Sequence, residues 1–140
     1  MSATMASGAC NCGAVRFEIL SALSDVFVCH CSICRRFSGN HGVAVVIVAN
    51  EQFRWVGDTR HLRTWSKPGH DWQSHFCGVC GSALPGPNDA DRMFVPAGLI
   101  TEGGESLRVA HHIWVDSCAP WDEIGDGGVQ HPGEFGSAPR

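Results

Sequence analysis

The chain has 140 residues, of which 44% are hydrophobic and 17% charged, and carries a formal net charge of −4. This length suits one domain of about 100–150 residues, and the acidic balance argues against a partner bound by neutralising nucleic-acid phosphates, which needs a basic face. The longest apolar run, Val43–Ala49, falls well short of the roughly 20 residues of a membrane helix. Met1–Gly8 lacks the basic patch and apolar stretch of a secretory signal, so the expectation is a cytoplasmic protein with no membrane or nucleic-acid partner.

In chain order, strand patterns outnumber helical ones. Val15, Phe17 and Ile19 alternate with Arg16 and Glu18, the period-two pattern of a half-buried strand. Asp25–His30 predicts a second strand. Val43–Ala49 is continuous, apolar and β-branched, as for a strand covered on both faces. Gln52–Val56 and Leu62–Trp65 predict short strands around a turn at Gly57-Asp58. Asp71–Phe76, Arg92–Pro96 and Leu107–Val115 complete the set, and only Ser32–Phe37 and Ser117–Ile124 have room for a helical turn or two. A fold that is mainly β follows, with under about a fifth of the residues helical. From Gly125 to Arg140 the composition turns to glycine and proline, which predicts a flexible or surface-draped tail, with Phe135 as its one apolar anchor. The expected organisation is therefore a domain over residues 1–124 and a tail over 125–140.

The cysteines decide the chemistry. Seven of the eight lie in three tight groups: Cys10-x-Cys12, Cys29-x-Cys31-x-x-Cys34 and Cys77-x-x-Cys80. In a reduced compartment such clusters are metal ligands or redox pairs rather than scattered cross-links. Cys10 and Cys12, two apart, share a face of an extended segment. Gly78 and Gly81 permit a knuckle turn around Cys77 and Cys80. Two such pairs supply the four thiolates of a closed structural zinc site, which would clip the N-terminus to the middle of the chain. The rival arrangement joins either pair to the middle group. A thioredoxin-like redox pair at Cys77 and Cys80 would need a strand–CxxC–helix context that the sequence does not supply.

The middle group offers three thiolates within six residues. If the two pairs close on one zinc, three ligands remain for a second, and a three-ligand zinc keeps a position for water or substrate. His30 would point to the opposite face of an extended segment, as a packing or hydrogen-bonding residue. Arg35 and Arg36 follow Cys34 directly and suit either the offset of thiolate charge or the capture of an anionic ligand.

Taken together, Gly8-Ala9-Cys10-Asn11-Cys12-Gly13-Ala14-Val15-Arg16-Phe17-Glu18, Cys29-His30-Cys31-Ser32-Ile33-Cys34-Arg35-Arg36, Phe76-Cys77-Gly78-Val79-Cys80-Gly81-Ser82, His112-Ile113-Trp114-Val115 and Ala119-Pro120-Trp121 resemble the glutathione-dependent formaldehyde-activating enzyme family, also called the centromere-protein-V domain family. The resemblance spans roughly residues 8–124. It implies an Mss4-like β-tent of antiparallel sheets organised around zinc. It implies a structural zinc on Cys10, Cys12, Cys77 and Cys80 and a catalytic zinc on Cys29, Cys31 and Cys34. The family's founding activity joins glutathione and formaldehyde as S-hydroxymethylglutathione, a carbon–sulfur lyase reaction, so the implied partner is a small thiol or its thiohemiacetal. One departure is Cys118, where many relatives carry lysine.

The expected function is therefore a zinc-dependent carbon–sulfur lyase acting on a thiol–aldehyde adduct. Arg35, Arg36 and Lys67 are candidate holders of substrate carboxylates, and His30, His75 and His111 are candidate bases by chemistry alone. The alternatives are a zinc-binding domain without catalysis, in a structural or interaction role, and an iron or redox protein built on the same thiolates.

Overall fold

The first two strands, β1 (Ala6–Ala9) and β2 (Arg16–Ile19), form an antiparallel hairpin with Ala6 opposite Ile19 and Ala9 opposite Arg16. The alternation read from the sequence is the reason for its burial pattern: Val15, Phe17 and Ile19 are almost fully buried, whereas Arg16 is exposed. The remaining elements are β3 (Val26–Cys29), α1 (Ser32–Ser38), β4 (Val43–Ala49), β5 (Phe53–Val56), β6 (Leu62–Ser66), β7 (Gln73–Cys77), β8 (Gly86–Pro87), β9 (Arg92–Pro96), β10 (Ile100–Glu102), β11 (Val109–Ile113) and β12 (Val129–Gln130). The structure is a computed structural model and describes residues 3–138. Met1, Ser2, Pro139 and Arg140, at the ends of the two expected segments, lie outside the described residues. The protein is mainly β, with 38% strand and 12% helix. No helix among the described residues is long and apolar enough to cross a membrane.

The chain divides into two compact units. The first takes residues up to Ser24 together with Val46–Ser106; the second takes Asp25–Val45 and the chain from Leu107 onward. In the first unit, β10, β1, β2 and β5 form an antiparallel sheet in that order, β6 pairs with β7, and β8 pairs with β9. Aromatic packing reinforces it: Phe17 stacks on Phe53 at 5.6 Å, Trp55 meets Phe53 edge-on at 5.0 Å, and Trp72 stacks on Phe94 at 5.9 Å. In the second unit, β12, β11 and β3 lie side by side, and β3 pairs antiparallel with the start of β4, Cys29 opposite Val43.

Three local expectations change. The Gly57-Asp58 turn does not make a hairpin of its flanking strands, because β5 pairs with β2 and β6 with β7. The sheets are not uniformly antiparallel. β11 runs parallel to both β3 and β12, with Ile113 opposite Cys29 and His111 opposite Val129. Parallel pairing requires a long connection, and the whole first unit's second segment separates β3 from β11. Near Ser117–Ile124 the helical turn is confined to a 3-10 turn at Val115–Ser117.

The glycine- and proline-rich tail is docked over its described length. Besides β12, the carbonyls of His131, Pro132 and Gly133 accept from Val115, Asp116 and Trp114 at 2.8–3.1 Å, and His131 is buried. Phe135 lies against Phe27, His111 and His131 at ring separations of 4.9–5.6 Å. Backbone pairing along the edge of β11, rather than a period of apolar side chains, holds this segment. Composition does not reveal that kind of order.

Candidate metal centres

The first unit gathers Cys10, Cys12, Cys77 and Cys80, whose sulfurs all lie within 4.8 Å of one another. Cys10 sits just after β1 and Cys77 ends β7, both buried in an apolar cluster with Val15 and Leu84. Each pair rides on a tight loop. Gly13 N–H donates to Cys10 O at 3.1 Å and Gly81 N–H to Cys77 O at 2.8 Å. Gly13 and Gly81 have φ of 79° and 78°, the left-handed region that glycine enters without a Cβ clash. Backbone donors face the sulfurs: Val15 N–H lies 3.4 Å from Cys10 Sγ, and Val79 N–H 3.4 Å from Cys77 Sγ. Asn11 N–H donates to Ser82 Oγ at 2.9 Å, tying the two loops together.

The sulfur spacing tests the fit to a metal. A tetrahedral zinc with Zn–S near 2.3 Å sets its sulfurs about 3.8 Å apart. Cys10–Cys12 is 3.6 Å and Cys12–Cys77 is 3.8 Å. Four sulfurs within 4.8 Å of one another, two pairs of them near that spacing, with backbone donors directed at Cys10 and Cys77, fit a closed zinc shell. Mutual hydrogen bonding also splits the thiols. Contacts with Ser82 pull Cys80 down to about 5. The Ala14 backbone lowers Cys12, but burial and the neighbouring thiols outweigh it and push Cys12 up to about 12.

The second unit gathers Cys29, Cys31 and Cys34, again with all sulfurs within 4.8 Å. Cys29 ends β3, Cys31 caps α1, and Cys34 lies in the first turn of α1. Cys31 Sγ accepts from Cys34 N–H at 3.3 Å, the cap usually made by a serine or aspartate oxygen. Gly39, in the left-handed region, closes the other end by donating to Arg35 O at 2.8 Å. Hydrogen bonds from Cys29, then Cys34, hold the Cys31 thiol far below its ordinary range, at about 2. Hydrogen bonding with Cys31 raises Cys29 to about 11, and contacts with Cys29 and Cys31 raise Cys34 as well. The group thus favours thiolate at Cys31, the form a metal binds. Neither Cys118 nor His30 joins these three donors among the described residues.

The other candidates separate. Arg35 is half-buried, and its Nε is a buried donor without a hydrogen-bond partner. Arg36 is exposed. Lys67 lies in the β6–β7 turn of the first unit, its N–H donating to Trp72 O at 2.9 Å, and belongs to neither thiol group. His75, in β7, shares a 3.1 Å hydrogen bond with Thr64, and burial lowers its pKa. His111 pairs with His131 at 3.1 Å. His30 is fully buried, with its Nε2 2.8 Å from His112 Nδ1.

Against this geometry, the sequence profile described as "Glutathione-dependent formaldehyde-activating enzyme" matches residues 5–117, most of the chain. The chain belongs to that family. A protein of Halomonas elongata, named provisionally as a glutathione-dependent formaldehyde-activating enzyme, is 35% identical over 85 residues, 55% of this chain and 52% of the relative. The match therefore spans about half the length of that curated relative. A crystal structure of a Rhodobacter sphaeroides protein shares the fold, with a TM-score of 0.56 and 23% identity over 69% of this chain and 88% of the other. Both thiol groups fall inside the matched residues, whereas Cys118 and the docked tail lie beyond them.

Sequence reasoning missed one cluster. His30, His41 and Asp122 converge, with His112 and Asp126 behind them. His41 and Asp122 are too far apart in sequence to form a motif, and Asp126 lies in the tail expected to be flexible or surface-draped. The available signal was the number of histidines around β3 and β11.

Proposed function

We propose that the chain joins a small thiol, glutathione first among candidates, to formaldehyde, a reversible carbon–sulfur lyase reaction centred on Cys29, Cys31 and Cys34. In the forward step the thiol sulfur adds to the aldehyde carbon and a C–S bond forms. The carbonyl π pair moves to oxygen, and the thiol proton ends on that oxygen. No group is oxidised or reduced. The observation that carries the reading is the convergence of three cysteine sulfurs without a fourth protein donor among the described residues. A zinc ion held there would supply an open coordination position, able to acidify a thiol or polarise an aldehyde oxygen.

The chain's own residues prepare that position. Hydrogen bonds from Cys29 and Cys34 favour the thiolate form of Cys31. The helix cap fixes its side chain. Arg35, one residue beyond Cys34, offers a buried, unpartnered guanidinium N–H to a substrate carboxylate, and Arg36 adds positive charge at the surface. Family membership supports the substrate class. Free cysteines at both sites suit a reducing, cytoplasmic setting.

The test is Cys31→Ser. Serine preserves the N-cap of α1, because its hydroxyl accepts as the sulfur does, so the fold should survive. We expect the melting temperature to stay within a few degrees and the rate of S-hydroxymethylglutathione formation, followed by NMR, to fall at least about 100-fold. Unchanged turnover would remove the catalytic reading in favour of a non-catalytic zinc domain. Unfolding would make this group a structural clip.

A further inference from the structure

Asp122 Oδ2 lies 3.4 Å from His30 Nδ1 and 3.3 Å from His41 Nδ1, and the three donor atoms are mutually within 4.8 Å. His41 and Asp122 share a long hydrogen bond across that gap, and both separations exceed the roughly 2.7–2.9 Å of a charge-assisted imidazole–carboxylate hydrogen bond. They match the edges of a coordination tetrahedron: zinc bonds to nitrogen and oxygen of about 2.0–2.1 Å place neighbouring ligands about 3.3–3.4 Å apart. His30 is 0% exposed, yet its Nδ1 has no hydrogen-bond partner. We propose that His30, His41 and Asp122 form a metal site of their own, a two-nitrogen, one-oxygen pocket for a first-row divalent cation such as zinc.

The hydrogen-bond chain behind the pocket explains why His30 turns a lone pair toward it. Asp126 Oδ1 lies 2.9 Å from His112 Nε2, and a carboxylate can only accept, so His112 donates from Nε2. His112 Nδ1 is then an acceptor, and His30 Nε2 donates to it across 2.8 Å. The remaining nitrogen of His30, Nδ1, is left with a lone pair facing the Asp122 carboxylate, itself an acceptor. A cation between them satisfies both. A carboxylate that fixes a ring, which in turn fixes the ligating ring, is the usual outer support of a metal-bound histidine. Asp126 is itself anchored, accepting from Gly128 N–H at 2.8 Å.

The pocket differs from the thiol groups in donors and in access. It contains no sulfur among its members. Imidazole and carboxylate together suit zinc, cobalt, nickel or iron, whereas thiolates select softer partners. His30 lies between Cys29 and Cys31 in sequence, but its ring turns to His112 and Asp122 instead. His41 has 40% of its side chain exposed, which gives an ion a route in. Asp122 is positioned by a turn in which its N–H donates to Ala119 O at 3.0 Å.

The experiment is independent of the proposed reaction, because it reads bound metal and no turnover. The full chain and the variants His41→Gln and Asp122→Asn are equilibrated with zinc under reducing conditions and freed of excess metal. Zinc per chain is then measured by elemental analysis. Each variant should carry about one equivalent less than the parent. With cobalt as the probe, the near-ultraviolet bands of sulfur–cobalt charge transfer should keep their intensity in both variants, since they report the thiolates alone. Equal metal content in parent and variants would overturn the proposal, as would a loss of the sulfur bands in step with the lost equivalent. His41→Gln alters a part-exposed side chain and decides the matter if Asp122→Asn does not fold.

Discussion

The two thiol groups share one ligand type but differ in the chain that carries them. Cys10, Cys12, Cys77 and Cys80 come from loops far apart in sequence, and two of the four are buried in an apolar cluster with Val15 and Leu84. Cys29, Cys31 and Cys34 come from a single strand end and the helix that follows it. A metal on the first group closes a long loop and so takes entropy from the unfolded chain; on the second it closes almost none. What a metal stabilises is therefore set less by its ligands than by the length of chain they enclose. The group with little to enclose is the one for which the proposed reaction has a use beyond folding.

The largest expected effect is that of Cys77→Ser. Cys77 is 1% exposed, so the substitution removes a ligand and places a hydroxyl in an apolar cluster. Structural zinc contributes on the order of 10 kcal/mol in small domains, comparable with the whole stability of a typical domain. We expect insoluble protein or the loss of a cooperative melt, followed by differential scanning calorimetry and metal analysis. A Cys77→Ser protein with an unchanged melting temperature would break the comparison at its root.

Graded metal removal sharpens it. A chelator titrated into the protein should first abolish turnover with the circular dichroism spectrum intact, and only later unfold the chain. A metal held by three thiolates would exchange through its open position, whereas one enclosed by four would leave only as the shell is dismantled. Zinc restored after the first stage should restore turnover. Simultaneous loss of metal, fold and activity would show that both groups are clips.

A smaller effect is expected at Arg35. Its side chain is half-buried and its Nε is a buried donor without a partner, a donor capacity that the proposed reading assigns to a substrate carboxylate. A charge-assisted hydrogen bond contributes about 1.5–3 kcal/mol, so Arg35→Gln should raise KM for glutathione roughly 10- to 100-fold and change kcat little. Arg36→Gln, at an exposed position, is the control. Equal KM for both variants would remove Arg35 from the reading.

Much of this was legible in the sequence, for identifiable reasons. The run Val43–Ala49 and the segment Arg92–Pro96 became strands with the expected bounds; β-branched side chains favour the first, and the apolar Met93, Phe94 and Val95 mark the second. The cysteine pairs announced themselves through spacing and through glycines that the loops need at positive φ. The short strands β1, β8, β10 and β12 were not legible. Ala6–Ala9 and Gly86–Pro87 carry no alternation, and their pairing is decided by the partner strand. The polar cluster of His30, His41, His112, Asp122 and Asp126 was hidden for a related reason. It is assembled by tertiary packing and the docking of the tail, neither of which leaves a local pattern.

The smallest expected effect tests whether the second thiol group is open. Cys118 is the one cysteine outside both groups, half-buried after the 3-10 turn at Val115–Ser117. Its N–H donates to Val115 O at 3.0 Å, a bond that does not depend on the side chain. Loss of one partly buried sulfur should lower stability by about 1 kcal/mol or less. Cys118→Ala should keep the parent's metal content and its turnover of glutathione and formaldehyde. A lost equivalent of metal would mean that Cys118 reaches the three-thiolate group in solution and closes it. The distinction between a closed clip and an open site would then fail, and catalysis would require Cys118 to leave the metal before a thiol could take its place.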